Sequence, residues 1–431
     1  MSYEEIIIEN IRRFIYALAT HAMYRKCNTD FTRDRKMPFA KVVLYNLARK
    51  GLTNKMEIFN FDELVETADI SSPAVLKQRE KLNPEIYTEM MNMNNICFYN
   101  QFNDAKLFKG YILGASDGSD FEIPNTVSTR SKCGPTTVAR GHVDSMFDLL
   151  NNFVLGVTFD YGKTDERAKA KEIWNAVKAL NLRYPIISVR DRGYMSIKEV
   201  FQLNKNNDKY VIRFDEKNYK DTIKSMKSND EIVEIKCRKD NVAKYKDSDP
   251  EYCKEMETNG FKVSCRVVTV ELETGEKEYL ATNLESDKFT YEDIKKIYTL
   301  RWGIETNFHT LKESLKIESI SSSKEDLIKQ DIYSQMVAFN TLQAFANAKE
   351  KEIDQPKYKH EMKININMAV GFFKKYFIYL LIEENMLKKK ILMEELSDNI
   401  KRYLVPKRPG RKYPIQPNKR NKYPINKRKS F

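Results

Sequence analysis

The stretch that decides the fold is residues 294–317, which read IKKIYTLRWGIETNFHTLKESLKI. Its apolar side chains recur at a helical period and fall on one stripe, which predicts a single long helix with one buried face. Thr290 and Asp293 stand just before the run, in a pattern that resembles a capping box with Asp in place of Glu. The members of the stripe are Ile297, Leu300, Ile304, Phe308, Leu311 and Leu315.

The neighbouring face of the same predicted helix is polar. Tyr298, Arg301, Glu305 and Lys312 fall within about 60° of one another at a helical period. Two interpretations are open for a carboxylate flanked by Arg, Lys and Tyr. One is an exposed ladder of ion pairs, which is ordinary on helices, and the other is an active site that handles an anion. Spacing alone favours the ladder, so the choice depends on the other parts of the chain.

Length and composition indicate a multidomain protein with a substantial core. The chain has 431 residues, of which 41% are hydrophobic, and this is enough for two or three domains. No run of about 18 apolar residues is present, so no transmembrane helix and no membrane partner are expected. Residues 1–20 are apolar but contain five charged side chains, which favours an amphipathic helix over a signal peptide. A cytoplasmic location is therefore expected.

The cysteines and histidines do not suggest zinc. The six cysteines are scattered without a C-x-x-C pair, and the four histidines form no H-x-x-x-H pair. The cysteines are therefore expected to be reduced and mostly buried. Any metal would be held by oxygen, which favours Mg²⁺ or Mn²⁺ over zinc.

The net charge of +13 is concentrated at the C-terminus. Residues 406–431 hold ten Lys and Arg and no acidic residue, so the other residues carry only 13 − 10 = +3. We expect this tail to be disordered when free and to bind phosphates without sequence preference, with Arg411 and Lys412 among its contacts. The alternative is a solubilising tail. The expected partner is a polyanion, and nucleic acid is favoured over a membrane surface.

Residues 1–104 are expected to be helical, starting with one helix over Tyr3–Met23. Asp62–Ala68 and Pro73–Leu82 could form a helix-turn-helix, because Ser72 is a suitable cap and Pro73 suits the first helical position. The alternative is a plain helical bundle. In the DNA-binding interpretation, the second helix would present three basic residues to solvent for a major groove, namely Lys77, Arg79 and Lys81.

From residue 105 onwards the pattern alternates between strands and helices. Asp117 and Asp191 each come after a short apolar strand and close to a glycine. In open α/β sheets the site gathers at strand ends, so these two carboxylates and one from a helix could converge on a pair of divalent cations. The predicted strands are Gly110–Ser116, Val138–Asp148, Phe153–Tyr161, Pro185–Val189 and Tyr210–Phe214, with helices over Lys163–Leu180 and Ile197–Leu203.

Residues 216–288 are β-rich and are expected to form a small insertion, with Thr274 and Gly275 as a hairpin turn. Helices return after residue 323. The expected division is a helical DNA-binding region, the first part of an α/β core, the β-rich insertion, a helix that completes the core, a helical C-terminal region and the basic tail. The corresponding ranges are 1–104, 105–215, 216–288, 289–322, 323–405 and 406–431.

The pattern Tyr298-x2-Arg301-x3-Glu305-x6-Lys312 resembles the signature of DDE transposases of bacterial insertion sequences, in the branch named after insertion sequence 4. Asp117 in SDGSDFEIP resembles the first aspartate motif of that family, and Asp191 in VRDRGYMS resembles the second. Arg190 departs from the pattern, since a small residue is expected there. The resemblance covers about residues 105–320.

This resemblance implies an α/β, ribonuclease H-like catalytic core in which Asp117, Asp191 and Glu305 hold two Mg²⁺ (or Mn²⁺) ions for cleavage and strand transfer. Asp120 is a rival to Asp117, which is preferred because it lies at a strand end. By the same resemblance, Tyr298, Arg301 and Lys312 would contact transposon ends. Trp302 would either stack on a displaced base or serve as a core wedge.

The resemblance also implies partners and a cellular context. The protein would bind the terminal inverted repeats of an element and target DNA, act as a homodimer in a synaptic complex, and work at the bacterial nucleoid. Two alternatives stay open. One is a domesticated DNA-binding protein with an inactive site, and the other is a ribonuclease H-like nuclease without strand transfer. The presence of all three carboxylates argues against the inactive protein.

Overall fold

The structure is a computed structural model that describes residues 2–33, 35–65, 70–126, 130–133, 136–162, 164–272 and 275–407. Helices fill most of the described N-terminal region, and the predicted Tyr3–Met23 helix is divided in two because Ala17 has extended backbone angles. The N-terminal helices are α1 (Tyr3–Tyr16), α2 (Leu18–Tyr24), α3 (Phe39–Ala48), α4 (Asn54–Val65), α5 (Ser72–Arg79) and α6 (Glu85–Gln101).

A large mixed sheet follows the N-terminal helices. Its strands are β1 (Ile112–Glu122), β2 (Arg130–Cys133), β3 (Thr136–Asp148), β4 (Val154–Tyr161), β5 (Ile186–Arg190), β6 (Lys209–Phe214), β7 (Asp230–Lys236), β8 (Lys262–Glu271) and β9 (Lys277–Thr282). The strand order is β2-β3-β1-β5-β6-β9-β8-β7, and β4 also pairs with β3. The helices between these strands are α7 (Glu166–Ala179), α8 (Ile197–Lys205), α9 (Lys220–Ser225), α10 (Lys239–Ala243) and α11 (Pro250–Thr258).

Strand β1 has a different kind of partner on each side. It pairs in parallel with β5 from Ile112 to Ser116, and antiparallel with β3 from Gly114 to Glu122. The predicted end of this strand at Ser116 is therefore wrong. An Asp-Gly pair often marks a turn, but here the long antiparallel partner keeps residues 117–122 extended.

The β-rich region joins the same sheet. Strand β9 pairs antiparallel with β6, and β8 and β7 follow it outwards. Helices α9, α10 and α11 in this region were not expected from the sequence. Thr274 of the predicted hairpin turn lies outside the described residues. The interpretation of residues 216–288 as an insertion stays a prediction.

The segment 294–317 is helical but is not a single helix. It contains α12 (Tyr291–Leu300) and α13 (Gly303–His309), followed by a π-helical turn over Thr310–Ser314. At the junction the backbone N–H of Arg301 donates to Tyr298 and that of Ile304 to Arg301, a tighter pattern than that of an α-helix. The predicted cap is present, because Thr290 and Asp293 form a reciprocal capping box.

The C-terminal region contains α14 (Glu325–Glu350), α15 (Ile366–Ile382) and α16 (Met386–Arg402), with a short hairpin of β10 (Met362–Ile364) and β11 (Leu404–Pro406). Helix α14 is buried along most of its length. One hydrophobic core joins the N-terminal helices, the central sheet, α12, α13 and the C-terminal helices, and a second core lies among α8, β6–β9 and α11. No described helix is long and apolar enough to cross a membrane.

The expectation that α5 presents Arg79 to solvent is wrong. Arg79 is fully buried, and its guanidinium donates to Asp331 on α14 at 2.6 Å and to the Ser321 hydroxyl at 2.6 Å. Arg49 forms a second buried ion pair with Asp331. A buried arginine must be paired, and here α14 supplies the carboxylate. Arg79 is therefore a structural residue between the N-terminal and C-terminal helices.

Candidate active site

Asp117 and Asp191 lie at neighbouring positions of two parallel strands. The parallel pairing of β1 and β5 ends at Ser116 and Arg190. Asp117 is the next residue within β1, and Asp191 is the first residue after β5. The predicted position of Asp117 at the end of its strand is wrong, since Asp117 lies inside β1. It lies at the end of the parallel ladder instead, and this end brings it beside Asp191.

Helix α13 brings Glu305 to the same edge of the sheet. Ile304 is fully buried, and the Phe308 ring packs against Phe147 on β3 (5.4 Å between centroids) and Phe121 on β1 (6.5 Å). Phe121 and Asp117 are four residues apart on β1, so they lie on one face of the sheet. The helix that contains Glu305 therefore covers the face to which Asp117 belongs.

Arg301 contacts Glu305, and the charges of all three carboxylates act on it. Its side chain is buried, and its Nη2 is 3.3 Å from Glu305 Oε1. Burial alone would lower the pKa of Arg301, but Tyr298 and the negative charges of Asp191, Asp117 and Glu305 raise it above its ordinary value. The guanidinium thus balances a site that would otherwise hold three negative charges.

Asp191 is held in its ionised form. The Tyr298 hydroxyl donates to its Oδ1 at 2.9 Å. Burial works to raise the pKa of Asp191, but the backbone N–H of Arg192, the Tyr298 hydroxyl and the charges of Arg301 and Arg213 together lower it. Tyr298 therefore contacts a carboxylate directly in this structure, and its predicted DNA contact stays a prediction.

Asp117 is in the opposite electrostatic situation. Burial, helped by the charges of Glu305 and Asp191, raises its pKa to about 6. The backbone N–H of Gly118, which donates to Asp117 Oδ1 at 3.0 Å, and the charge of Arg301 offset only part of this rise. Asp117 therefore has a negative charge that the protein balances poorly, as expected where a cation is to bind.

The donor set fits a hard divalent cation. All three side chains supply carboxylate oxygens, the ligands that Mg²⁺ and Mn²⁺ prefer. Among the described residues, no three His, Cys, Asp or Glu side chains are already gathered as a metal site. Glu305 is instead in contact with Arg301, and its side chain is 46% exposed.

Lys312 and Trp302 occupy different settings. Lys312 donates to the backbone carbonyl of Asp120 at 2.5 Å and lies over the Phe121 ring. These two contacts connect the π turn to β1. Trp302 is 60% exposed beside Arg301. The core-wedge interpretation of Trp302 is therefore wrong.

Asp120 lies on the face of the sheet away from Glu305. It is three residues from Asp117, and successive strand residues point to opposite faces. Its carboxylate contacts Arg140 (3.1 Å) and His142 (2.9 Å) on β3. This geometry argues for Asp117 as the catalytic candidate.

The remaining predicted DNA contacts are separate from this site. Lys77 is exposed on α5, and Lys81 is partly buried and lies over the Phe31 ring. Arg411 and Lys412 lie outside the described residues. No described contact brings Lys77 or Lys81 to the three carboxylates.

One neighbour of the site was missed in the sequence. Arg213, on β6, has its Nη1 3.9 Å from Asp191 Oδ1 and 3.1 Å from Glu278 Oε1. Its signal was a lone arginine within the apolar strand YVIRF, at the carboxyl end of the strand next to β5. A partly exposed guanidinium at that position can contact a phosphate.

Comparison with known proteins identifies the family of this chain. Residues 109–341, more than half of the chain, match the family described as the transposase DDE domain. This match identifies the class of protein as a DDE transposase. The chain belongs to the transposase DDE domain family.

Other comparisons add less. No curated protein matches the chain. Among solved structures, the chain is similar to a piggyBac transposase in a cryo-EM structure of its synaptic complex with hairpin DNA, at 11% identity and a TM-score of 0.42. That match covers 94% of this chain and 84% of the other.

Proposed function

We propose that this transposase belongs to the insertion-sequence-4 branch and cuts and joins DNA with two metal ions held by Asp117, Asp191 and Glu305. The observation that supports this most strongly is the position of Arg301. Its buried guanidinium contacts Glu305 on α13, and the charges of Asp117 on β1 and of Asp191 just after β5 also act on it, raising its pKa. A solvent-exposed ion-pair ladder, the alternative kept open by spacing, would not bury this arginine.

The sheet supports a ribonuclease H-like core. In the order β4-β3-β1-β5-β6, β3 is antiparallel to its two neighbours, β4 and β1, and the last three strands run parallel to one another. The two aspartates follow the point where β1 and β5 stop pairing. The strands β7–β9, in our proposal, are an insertion that extends the sheet between the second aspartate and Glu305.

The three carboxylates fit two Mg²⁺ or Mn²⁺ ions, which when bound would activate the attacking oxygen and stabilise the leaving oxygen of a phosphodiester. The side chains then have distinct tasks. Asp117 must lose the proton that its raised pKa retains near pH 6. Asp191 is already kept ionised by Tyr298 and Arg213. Glu305 exchanges its contact with Arg301 for the metal site.

The side chains around the carboxylates suit a DNA end. Arg301, once released by Glu305, and Arg213 are placed to bind phosphate oxygens, which guanidinium groups bind in a fork. The exposed Trp302 ring offers a surface on which an unpaired base can stack. We also propose that the substrate is double-stranded DNA with terminal inverted repeats and that two copies of the chain act together.

The test is a cleavage assay on DNA that contains the inverted repeats flanking the gene. The full chain with Mg²⁺ is compared with Glu305→Gln and with Glu292→Gln, the same change at an exposed position on α12. We expect Glu305→Gln to lose cleavage by about 10²-fold or more, the effect of removing one electrostatic contact to the reacting centre. Equal cleavage by Glu305→Gln and the wild type would refute the site.

The same assay distinguishes transposition from simple hydrolysis. A labelled target plasmid is added, and joined products are separated from cut ends. A transposase gives joined products that depend on Glu305. Cut ends without joining would favour the nuclease, and binding without cutting would favour the inactive DNA-binding protein.

A further inference from the structure

Behind β1, on the face away from Glu305, lies a group of charged side chains that we name the His142 cluster. It consists of His142 and Asp144 on β3, Asp120 on β1 and Glu166 on α7. His142 Nδ1 is 2.9 Å from Asp120 Oδ1, and its Nε2 is 3.5 Å from Asp144 Oδ1 and 3.8 Å from Glu166 Oε1. One imidazole therefore faces three carboxylates.

The centre of the His142 cluster is buried. His142 is 7% exposed and Asp144 is 2% exposed, and within the described part of the chain neither oxygen of Asp144 accepts a well-formed hydrogen bond. Contact with Asp144 and with Asp120 raises the pKa of His142 to about 9, against the opposing effect of burial. The imidazole is thus protonated at neutral pH and supplies the positive charge that Asp144 needs.

This imidazole lies directly against the backbone next to Asp117. Gly118 is the cross-strand partner of Asp144, and a Cβ added to Gly118 would lie 2.4 Å from His142 Nε2 and 3.1 Å from Asp144 Oδ1. Only a residue without a side chain leaves room for the ring. The N–H of the same Gly118 donates to Asp117 Oδ1 at 3.0 Å. The His142 cluster therefore supports the peptide that orients Asp117.

The His142 cluster is also linked, through Asp120, to Lys312 in the π turn. The Asp120 carboxylate is held by His142 and Arg140, while its backbone carbonyl accepts from Lys312. Residues 117–120 are thus fixed from β3 on one side and from the π turn on the other. A shift of β1 by a fraction of an ångström would move Asp117 relative to Asp191 and Glu305.

We propose that His142 is a positioning residue for Asp117, acting through the backbone of Gly118 and through Asp120 to keep that carboxylate in metal-binding geometry. This inference rests on the proposed function, because it concerns the affinity of the proposed metal site. His142 contacts neither the metal ligands nor DNA in this role. Its effect should therefore be visible in metal binding itself, without any DNA.

The charge balance predicts a specific rescue. In His142→Gln, Asp144 becomes a buried carboxylate without a cation, and we expect this to disturb the local pairing of β1 and β3. Adding Asp144→Asn removes that charge and leaves two neutral amides in the same space. A second route to the same disturbance is Gly118→Ala, which displaces the imidazole without changing any charge.

The experiment titrates the full chain with Mn²⁺ and follows the free ion by electron paramagnetic resonance, with thermal unfolding measured in parallel. We expect His142→Gln and Gly118→Ala to weaken Mn²⁺ binding by about tenfold, as loss of an outer partner of a metal site does. The His142→Gln/Asp144→Asn variant should recover most of this loss. His309→Gln, the same change at an exposed histidine on α13, is the control and should bind as the wild type does.

Different outcomes identify different failures. Wild-type Mn²⁺ affinity in both His142→Gln and Gly118→Ala, even with lowered thermal stability, would show a merely structural role and overturn this inference alone. If His142→Gln does not fold, Gly118→Ala and the double variant decide the matter. The wild type is also compared with Asp117→Asn. If Asp117→Asn binds Mn²⁺ as well as the wild type does, or if neither binds it, the proposed metal site is refuted, and the inference with it.

Discussion

At the scale of single residues, the site contains two aspartates whose surroundings shift their pKa values in opposite directions. Burial raises the pKa of Asp117 to about 6, while the Arg192 N–H, Tyr298 and two arginines overcome the effect of burial and lower that of Asp191. The sequence motifs indicated both residues. They could not show this difference, because Arg213 and Tyr298 approach from distant parts of the chain.

The raised pKa of Asp117 predicts a pH-dependent stability difference. The folded state holds this proton more tightly than the unfolded state, so the contribution to stability is complete below about pH 4 and is lost as the pH rises through about 6. Asp117→Asn remains neutral throughout. In EDTA it should be more stable than the wild type at pH 8, by about 1–3 kcal/mol at 1.36 kcal/mol per pKa unit, and equal to it near pH 4.

Urea denaturation at the two pH values checks this expectation. Asp120→Asn is the matched control with the opposite sign. Burial of Asp120 is outweighed by His142 and Arg140, which lower its pKa. Its replacement should therefore cost stability at pH 8 and not at low pH. A pH-independent difference for Asp117→Asn would contradict the electrostatic account of the site.

At the scale of elements, the helical period predicted the buried stripe of residues 297–315 and its cap but not the break at Arg301 and Trp302. Gly303 was a weak local signal, because glycine lowers helix propensity without fixing where a helix ends. The sequence also failed to predict the full length of β1, for a similar reason. Its extension past Asp117 depends on pairing with β3, a partner that local sequence does not reveal.

The far end of this segment depends on a contact with the N-terminal helices. Gly51 has a φ of +87°, and a Cβ on it would lie 2.5 Å from the Cβ of Lys316. Arg49 donates to the Ser319 carbonyl at 2.6 Å beside it. We expect Gly51→Ala to destabilise the protein by about 1–3 kcal/mol from backbone strain, with a further cost from the clash.

The control is Gly260→Ala, because Gly260 also has a positive φ (+62°) but no atom within 4 Å of its added Cβ. Unfolding in urea measures both variants. The amount by which Gly51→Ala lowers the free energy of unfolding more than Gly260→Ala does measures the packing of Gly51 against Lys316. Equal costs at the two glycines would show that this packing contributes nothing.

At the scale of the whole molecule, the N-terminal and C-terminal helices form one core with the sheet. The Tyr3 hydroxyl donates to the Ala344 carbonyl at 2.8 Å, and Asp331 on α14 pairs with Arg49 and Arg79. Helical periodicity predicts that helices have buried faces but not which helices they pack against. For that reason the sequence alone placed Arg79 in solvent, and only the structure shows its partner.

The basic tail is predicted to add DNA affinity. Residues 408–431 hold nine Lys and Arg and no acidic residue. The deletion should begin at residue 408, because β11 ends at Pro406 and pairs with β10, and Lys407 pairs with Glu361. We expect weaker binding and a shallower dependence on salt, by about 0.9 in the logarithmic slope for each phosphate that the shortened chain no longer neutralises.

Binding of a labelled duplex at several salt concentrations measures this slope. A variant with these nine residues changed to Gln has the same length and is the control for charge. It should behave like the deletion. An unchanged slope in both variants would identify the tail as a solubilising segment.

The central claim is that Asp117 and Asp191 bind the metal ions that cut DNA. Replacing each with cysteine tests this directly, because a thiolate is a poor ligand for Mg²⁺ and a better one for Mn²⁺. Cleavage of end-containing DNA is measured for Asp117→Cys, Asp191→Cys and Asp120→Cys in each ion. The account predicts that the first two are inactive in Mg²⁺ and regain cleavage in Mn²⁺. The same recovery in Asp120→Cys, with none in Asp117→Cys, would contradict it.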